Sequence, residues 1–225
     1  MARIVVTGQA EHHQAAERGT LHLRIAVTED SADQAVQNAA ACHAEVVGRV
    51  KTLVAQGAVT WWSAGNVVAG AFYEWHKPNP NQDAVRILRF RALADLRVRF
   101  SDFEALARFS VAVAHPEVEI GAVDWALTEA RRNQIVPEVR AAAALDAVRR
   151  AQEYADGLGL GTVRLVTMYE EGLRPDVSHV SGSAVPTYSV RAGGVGGGGS
   201  PELVVQPEDI TVTVTVTADF DADPV

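Results

Sequence analysis

The stretch that decides the fold runs from Arg140 to Val166 and reads RAAAALDAVRRAQEYADGLGLGTVRLV. Its first part is rich in alanine, the residue with the highest helix propensity. Gly157 or Gly159 then ends the helix, because glycine readily adopts the left-handed conformation found at helix ends. The apolar residues from Val163 onward predict a strand that follows at once. A helix that leads directly into a strand indicates a fold in which helices and sheet are mixed.

The segments before this stretch alternate between strand and helix patterns. Apolar residues at every second position predict four strands, which cover residues 3–7, 20–28, 61–73 and 86–100. Between the second and third of these, a capping box at Ser31 begins a helix of about 25 residues that ends at Gly57. The third and fourth strands are expected to pair through a polar, proline-containing loop at 75–83.

Two more elements lead into the decisive stretch. A capping box at Ser101 predicts a short helix to about Ala114. A strand is predicted next over residues 118–127, with three side chains facing inward: Val118, Ile120 and Ala122. Pro137 fits the first turn of the helix that follows, where its missing N–H costs nothing.

The C-terminal part contains a long segment without periodicity and then a regular strand. Residues 170–207 include the glycine run 193–199, which is typical of a flexible linker. Residues 209–217 read DITVTVTVT and alternate β-branched apolar residues with threonine. The whole pattern predicts an α+β fold with largely antiparallel sheet and three helices, in the order ββαββαβαβ, then the long loop and a final strand. All 225 residues form one domain or two α+β lobes, about 1–100 and 101–225.

Composition limits the classes of partner. The formal net charge is −8, so the average field repels nucleic acid and anionic lipid, and we expect neither as a partner. No apolar run approaches the roughly 20 residues of a membrane span, and the first residues do not resemble a signal peptide. We therefore expect a cytoplasmic protein, with a periplasmic or secreted location only if a leader was removed. The single cysteine, Cys42, excludes a disulfide within the chain.

Residues able to perform chemistry are present, but their spacing does not form a known site. His12, His13 and His22 would approach one another if the first two strands paired as a hairpin, yet no HxxxH, HxH or CxxC spacing occurs. Solvated histidines are favoured over a metal site. Ser63, Ser181 and Ser183 lack the Gly-x-Ser-x-Gly context of a nucleophile. We predict no catalytic residue, no metal and no cofactor.

One predicted strand is basic in an otherwise acidic chain. Its arginines are Arg86, Arg89, Arg91, Arg97 and Arg99. Aromatic residues nearby would allow stacking with single-stranded nucleic acid. Pairing of the arginines with acids on a neighbouring strand or subunit is the favoured interpretation, because it agrees with the net charge.

Three segments of the chain resemble the SIMPL-domain family, a bacterial group also known through periplasmic immunogenic proteins. They are Val5–Glu11 (VVTGQAE), Phe90–Phe109, and Leu145–Val166 with its Asp-Ala and basic pair. The resemblance implies an α+β protomer, assembly into ring- or channel-like homo-oligomers, and a loose association with stress tolerance. It implies no established enzymatic activity. The chain departs from many relatives at Glu17-Arg18-Gly19, where they carry a Pro-Asp pair. Many relatives also resemble exported proteins with a leader, which we do not expect from the first residues here.

Three hypotheses for function follow. The preferred one is a non-enzymatic homo-oligomer that forms a ring, channel or cage, and its interface candidates are Arg97, Arg99, Thr211, Thr213 and Thr215. The second is a small-ligand or enzymatic module with a pocket near Trp61, Trp62 and Trp75. The third is an adaptor that binds a partner through the 170–207 loop.

Overall fold

A computed structural model describes residues 1–77, 83–175 and 206–224. These residues form three helices and eight strands in antiparallel sheets, which confirms the predicted α+β class. In chain order the elements are β1 (Ala2–Ala15), β2 (Arg18–Glu29), α1 (Ala32–Ala55), β3 (Val59–Ala64), β4 (Val68–His76), β5 (Val85–Phe100), α2 (Phe103–Ala112), β6 (Val118–Ala126), α3 (Glu129–Gly157), β7 (Arg164–Glu170) and β8 (Asp209–Ala222). The glycine run and most of the 170–207 loop lie outside the described residues, as do Ser181 and Ser183.

The element order differs from the predicted one at a single place. The strand predicted over 61–73 is two strands, β3 and β4, which both pair with β5 along successive lengths of its same side. The break comes at Gly65, whose amide donates a hydrogen bond to the Asp95 carbonyl at 2.8 Å. A Cβ there would lie 3.3 Å from that carbonyl oxygen, so glycine suits the close approach.

The chain divides into two compact units, and the division does not fall near residue 100. The first unit contains residues 1–16, 127–175 and 208–224 of the described chain, and the second contains 17–77, 83–126 and 206–207. The reason is that β1 pairs with β8 over fourteen residues, from Ala2↔Ala222 to Ala15↔Asp209. The first two strands do not pair as a hairpin, the condition under which the three histidines would have met, because β2 pairs with β5 and β6 instead.

The first unit is a three-stranded sheet in the order β1-β8-β7 with α3 on one face. The side of α3 that packs on the sheet begins with Ile135 and Val139, which are buried with Val212 of β8. It continues with four fully buried alanines at four-residue spacing: Ala143, Ala147, Ala151 and Ala155. The alternation of β8 places Val216, Ala218 and Phe220 in the same core. Short alanine side chains let the helix lie close to the sheet.

The second unit has the order βαββαβ if β3 and β4 are counted as one interrupted strand. Its sheet order β3-β5-β2-β6 is that of the ferredoxin-like split βαβ arrangement. Residues Leu21, Ile25, Leu96 and Val98 are almost fully buried on the face that packs against α1 and α2. The opposite face carries the polar residues that alternate with them.

Helix caps confirm some of the predicted boundaries and correct others. Ser31 caps α1 by accepting a hydrogen bond from the Gln34 amide, as predicted. Asp102, not Ser101, caps α2 and accepts from the Ala105 amide at 2.9 Å. A carboxylate is as good a cap as a hydroxyl, and Ser101 instead donates to backbone carbonyls at the end of the α1–β3 turn.

The start of α3 was predicted too late in the chain. Thr128 caps the helix through the Arg131 amide, so Pro137 lies inside the helix and not in its first turn. Proline has no N–H, so the Asn133 carbonyl lacks its usual helical partner there. The end of the helix agrees with prediction, because Gly159 has a φ of 67°.

The inward face of β6 also differs from the simple alternation. Val118 is buried, but Ile120 is 42% exposed and Ala122 is exposed as well. The pairing of β2 with β6 shifts register between Leu21 and Leu23. Ile120 pairs with the buried Leu23 and so stays on the core face, but β6 is at the edge of the sheet and leaves it partly uncovered. The bulge comes after Ile120, so Val123 and not Ala122 faces the core, a feature that the sequence pattern does not contain.

Candidate functional surface

The three candidate histidines are not brought together. His12 and His13 lie on β1 of the first unit, and His22 lies on β2 of the second. His13 Nδ1 is 3.0 Å from Thr211 Oγ1, and His22 Nε2 is 2.6 Å from Asp124 Oδ2. Across residues 1–77, 83–175 and 206–224, no group of three or more His, Cys, Asp or Glu side chains is arranged to hold a metal ion.

The candidate tryptophans do not line one pocket. Trp61 pairs with Arg99 and is 43% exposed, whereas Trp62 pairs with Val98 and packs on the core. Successive residues of a strand point to opposite faces, so these two side chains lie on opposite sides of the sheet. Trp75 is at the far end of β4 and is 68% exposed.

A cavity does occur elsewhere in the second unit, between α1 and the end of α2. It has a volume of about 360 Å³, and its lining includes Cys42, His115 and Glu117. Burial, with a smaller effect of the Glu117 and Glu45 carboxylates, raises the pKa of the Cys42 thiol. A raised pKa keeps the sulfur protonated, which is the unreactive form.

The basic strand is a central strand of the second unit. Arg97 and Arg99 project from the open face of β5, which has β2 on one side and β3 on the other. Arg99 lies over the Trp61 ring, 5.1 Å from its centroid. Arg89 pairs with the carboxylates of Asp30 and Glu74, so the interpretation of arginines paired with acids is confirmed at that position. Arg97 and Arg99 therefore lie on an exposed face of the sheet and not at a free strand edge.

The threonine candidates differ in this respect. Thr211, Thr213 and Thr215 alternate with the apolar residues of β8 that face α3, and they are half-buried. β8 lies between β1 and β7 only from Val216 to Asp221, and in the described part of the chain residues 209–215 pair with β1 alone. These threonines therefore border an edge as well as a sheet face.

The most exposed apolar surface of the described chain is the hairpin of β4 with the first half of β5, which we call the β4–β5 arm (residues 68–77 and 83–93). Its exposed large apolar side chains are Val68, Tyr73, Trp75, Val85, Ile87, Leu88 and Leu93. Tyr73 and Leu88 pair on one face, whereas Val85 and Ile87 lie on the other. Apolar residues on both faces indicate a ribbon that protrudes from the sheet.

The arm also has free edges. In the described part of the chain β4 pairs only with β5. On its other side β5 pairs with β2 only from Phe90 onward. Residues 85–89 therefore have a strand neighbour on one side alone, as does the whole of β4. An edge strand with unpaired N–H and C=O groups is a template for another strand.

The charge of the arm is opposite to that of the chain as a whole. It contains four cations, Lys77, Arg86, Arg89 and Arg91, and two anions, Glu74 and Asp83. The Arg86 guanidinium lies 4.0 Å from the centroid of the Tyr73 ring and 5.9 Å from that of Trp75. Arg91 lies over Phe72 at 4.9 Å. The arginines thus hold the aromatic rings in fixed positions at the surface.

A second distinctive place is the contact of α3 with β1, which we call the α3–β1 contact (Gly8, Gln9, Ala143, Asp146 and Ala147). A Cβ on Gly8 would lie 2.2 Å from the Ala143 carbonyl oxygen and 2.8 Å from the Ala147 Cβ. The Gln9 amide donates to Asp146 Oδ2 at 3.0 Å. Two separate segments, VVTGQAE and DAVRRA, therefore meet at this point.

Asp146 is the charged group of that contact. The Gln9 amide, with the guanidinium groups of Arg149 and Arg150, holds the pKa of the Asp146 carboxyl below its ordinary value. The carboxylate joins a strand amide to two helix side chains and is 14% exposed. This geometry stabilises the contact between the helix and the strand.

Sequence reasoning missed the arm because it treated residues 61–73 as one strand and the segment around Trp75 as loop. A signal was present in AFYEWH, where adjacent positions are apolar and a one-faced strand would alternate.

Comparison with known proteins places these features in one family. The sequence model of the family described as SIMPL, a protein of unknown function (DUF541), matches residues 4–220 of the 225-residue chain. A search of curated proteins gave no match. None of the helices that the structure describes has the length and apolar character needed to cross a membrane.

Proposed function

This chain belongs to the SIMPL family, and we propose that it is a non-enzymatic protein that assembles with copies of itself through the β4–β5 arm. The assembly is a closed homo-oligomer of ring, channel or cage form, with a role in stress tolerance. The observation that carries the proposal is the arm, with large apolar side chains exposed on both faces.

The physical argument starts from the cost of exposing such a ribbon. A two-stranded hairpin is marginally stable by itself in water, because neither of its faces is covered. Tyr73, Trp75 and Val68 are each more than half exposed in the isolated chain. Burial of side chains of this size contributes roughly 1.5–3 kcal/mol each. Contact with another copy would supply that burial.

Charge supports another copy as the partner. The arm has two more cations than anions in a chain of net charge −8, so the rest of the chain carries the acidic excess. A basic surface and an acidic one on the same molecule attract each other between copies. Aromatic and arginine side chains, which the arm combines, are also the residues most enriched at interfaces.

The non-enzymatic part of the proposal is supported by the way reactive groups are held. The Cys42 thiol has a raised pKa, and Asp146 is bonded to a backbone amide and two arginines. Such partners stabilise structure, and they do not prepare a nucleophile or a base for reaction.

The test is the mass of the protein in solution, measured by light scattering after size exclusion at micromolar concentration. We expect a multiple of the 24.0 kDa chain mass. The double variant Tyr73→Ser/Trp75→Ser should fall to 24.0 kDa or to a smaller multiple. Leu145→Ser is the matched control, because Leu145 is 70% exposed on α3, far along the chain from the arm, and its loss should leave the mass unchanged.

Two results would overturn the proposal. One is a wild-type chain that elutes as a 24.0 kDa monomer. The other is a double variant with the circular dichroism spectrum and the mass of the wild type. The role in stress tolerance is tested separately, by the survival of cells lacking the protein when they are complemented with the wild type or the double variant.

A further inference from the structure

Side chains in the first half of β4 are mostly small, and those in its second half are large. Val68-Ala-Gly-Ala71 begins the strand, and Tyr73-Glu-Trp-His76 ends it, with Phe72 at the centre. The pairing with β5 does not account for this division, because it is continuous from Val68↔Leu93 to His76↔Val85. The other edge of β4 has no strand partner among the described residues, and the division bears on what could pair there.

We propose that β4 pairs with β4 of a second copy, antiparallel and about a two-fold axis at Phe72. This inference rests on the proposed self-assembly and specifies its contact. With full overlap of the nine-residue strand, each large residue stands opposite a small one: Tyr73 opposite Ala71, Glu74 opposite Gly70, and Trp75 opposite Ala69. Side chains directly opposite one another in antiparallel strands are about 4.5–5.5 Å apart, so their sizes must match.

Other arrangements of two copies match less well. A parallel pairing in the same overlap would place Trp75 against Trp75, and Glu74 against Glu74 with like charges opposed. The antiparallel pairing places Glu74 over a residue without a side chain. It is also self-complementary, which is the requirement for a two-fold interface.

The edge of β4 is open to such pairing. Residues 68–76 contain no proline and no lysine, and the register with β5 has no bulge. Proline, lysine and bulges are the usual devices by which exposed edges avoid other strands. The arm thus extends into a four-stranded ribbon, β5-β4-β4-β5, shared by two copies. The attraction between the basic arm of one pair and the acidic remainder of another concerns a second contact of different symmetry, which would close such pairs into a larger assembly.

Disulfide trapping tests the register. In a Cys42→Ser background, Phe72→Cys places two thiols directly opposite each other, at a Cα spacing that a disulfide accepts. We expect mild oxidation of the purified protein to give a covalent dimer on a non-reducing gel. Val68→Cys alone is the control and should give none, because its symmetry mate is eight residues away along the strand. A mixture of Val68→Cys and His76→Cys proteins should form the cross-linked pair.

A charge pair tests the same contact without cysteine. A Cβ at Gly70 meets no atom within 4 Å in the protomer, so Gly70→Glu fits the isolated chain. In the pair it opposes Glu74, and we expect the dimer dissociation constant to rise at least tenfold. Gly70→Glu combined with Glu74→Lys should restore association, since opposite charges then face each other.

The outcomes separate this inference from the proposed function. A monomeric wild type overturns both. A wild type of high mass that loses mass on Tyr73→Ser/Trp75→Ser, with no Phe72→Cys dimer and no effect of Gly70→Glu, overturns only the two-fold β4 pairing. A cross-link that forms equally in Phe72→Cys and Val68→Cys also overturns it.

Discussion

The α3–β1 contact and the β4–β5 arm are opposite in character. At the first, Gly8 and four fully buried alanines bring a helix and a strand so close that a single added methyl group has no space. At the second, Tyr73, Trp75 and Val68 stand in solvent on a hairpin with free edges. Small residues allow close packing within the protomer at the first place, and large residues are left exposed to solvent at the second.

This difference suggests that the two regions serve different purposes, namely stability of the protomer and association between copies. Small residues in the α3–β1 contact stabilise the protomer, so changes there should reduce its free energy of unfolding. Large residues in the arm add little to the protomer, so changes there should affect association. Paired substitutions test that separation.

Burial of a charge in the α3–β1 contact should have the largest effect. Ala147→Glu places a carboxylate at a position with no exposed surface, and we expect a loss of more than about 4 kcal/mol in the free energy of unfolding. Val148→Glu, at the next position and 40% exposed, should cost less than about 0.5 kcal/mol. Urea denaturation measures both, and equal losses would contradict the buried helix face.

Two glycine substitutions should show the next largest difference in the free energy of unfolding. Gly8→Ala should lower the free energy of unfolding by about 3 kcal/mol, because the new methyl group meets the backbone of α3. Gly70→Ala has open space and should change it by less than about 1 kcal/mol. If Gly8→Ala left the free energy of unfolding unchanged, the helix would be free to move away from the strand, and the close contact would be contradicted.

The charge of the contact predicts a dependence on pH. Since the folded pKa of Asp146 is below its ordinary value of 3.8, the carboxylate stabilises the folded state above that pH, and the effect is lost as pH falls through the folded pKa. Asp146→Asn should therefore cost about 1–2 kcal/mol at pH 7. The difference from wild type should shrink below pH 4. A difference that is constant with pH would contradict a role for the charge.

The arm should give the smallest effect on protomer stability. Trp75→Ser, studied at a protein concentration low enough for the wild type to be monomeric, should change the free energy of unfolding by less than about 0.5 kcal/mol. The same substitution should reduce the mass at high concentration. A large loss of protomer stability would show that Trp75 packs within its own chain.

Much of the fold could be predicted from local patterns. Ser31 capped α1 and Gly159 ended α3 as expected, because caps and glycine stops depend on a few adjacent residues. The predictions that were wrong concern features that depend on pairing between residues far apart in the chain. The bulge opposite Leu21 and Leu23 moved Ala122 off the core face, and the pairing of β1 with β8 placed His12 and His13 in a different unit from His22. The interface candidates Arg97 and Arg99 on β5 proved to be in a central strand for the same reason.

The sequence by itself determined the α+β class, the family, and the helix face built of alanines, since these follow from spacing and composition along the chain. Only the tertiary structure decided that Gly8 meets Ala147, that Asp146 accepts a hydrogen bond from Gln9, and that β4 has a free edge. The physical reason is that strand pairing joins residues far apart in the chain. Which edges and faces stay uncovered depends on that pairing and not on any local pattern.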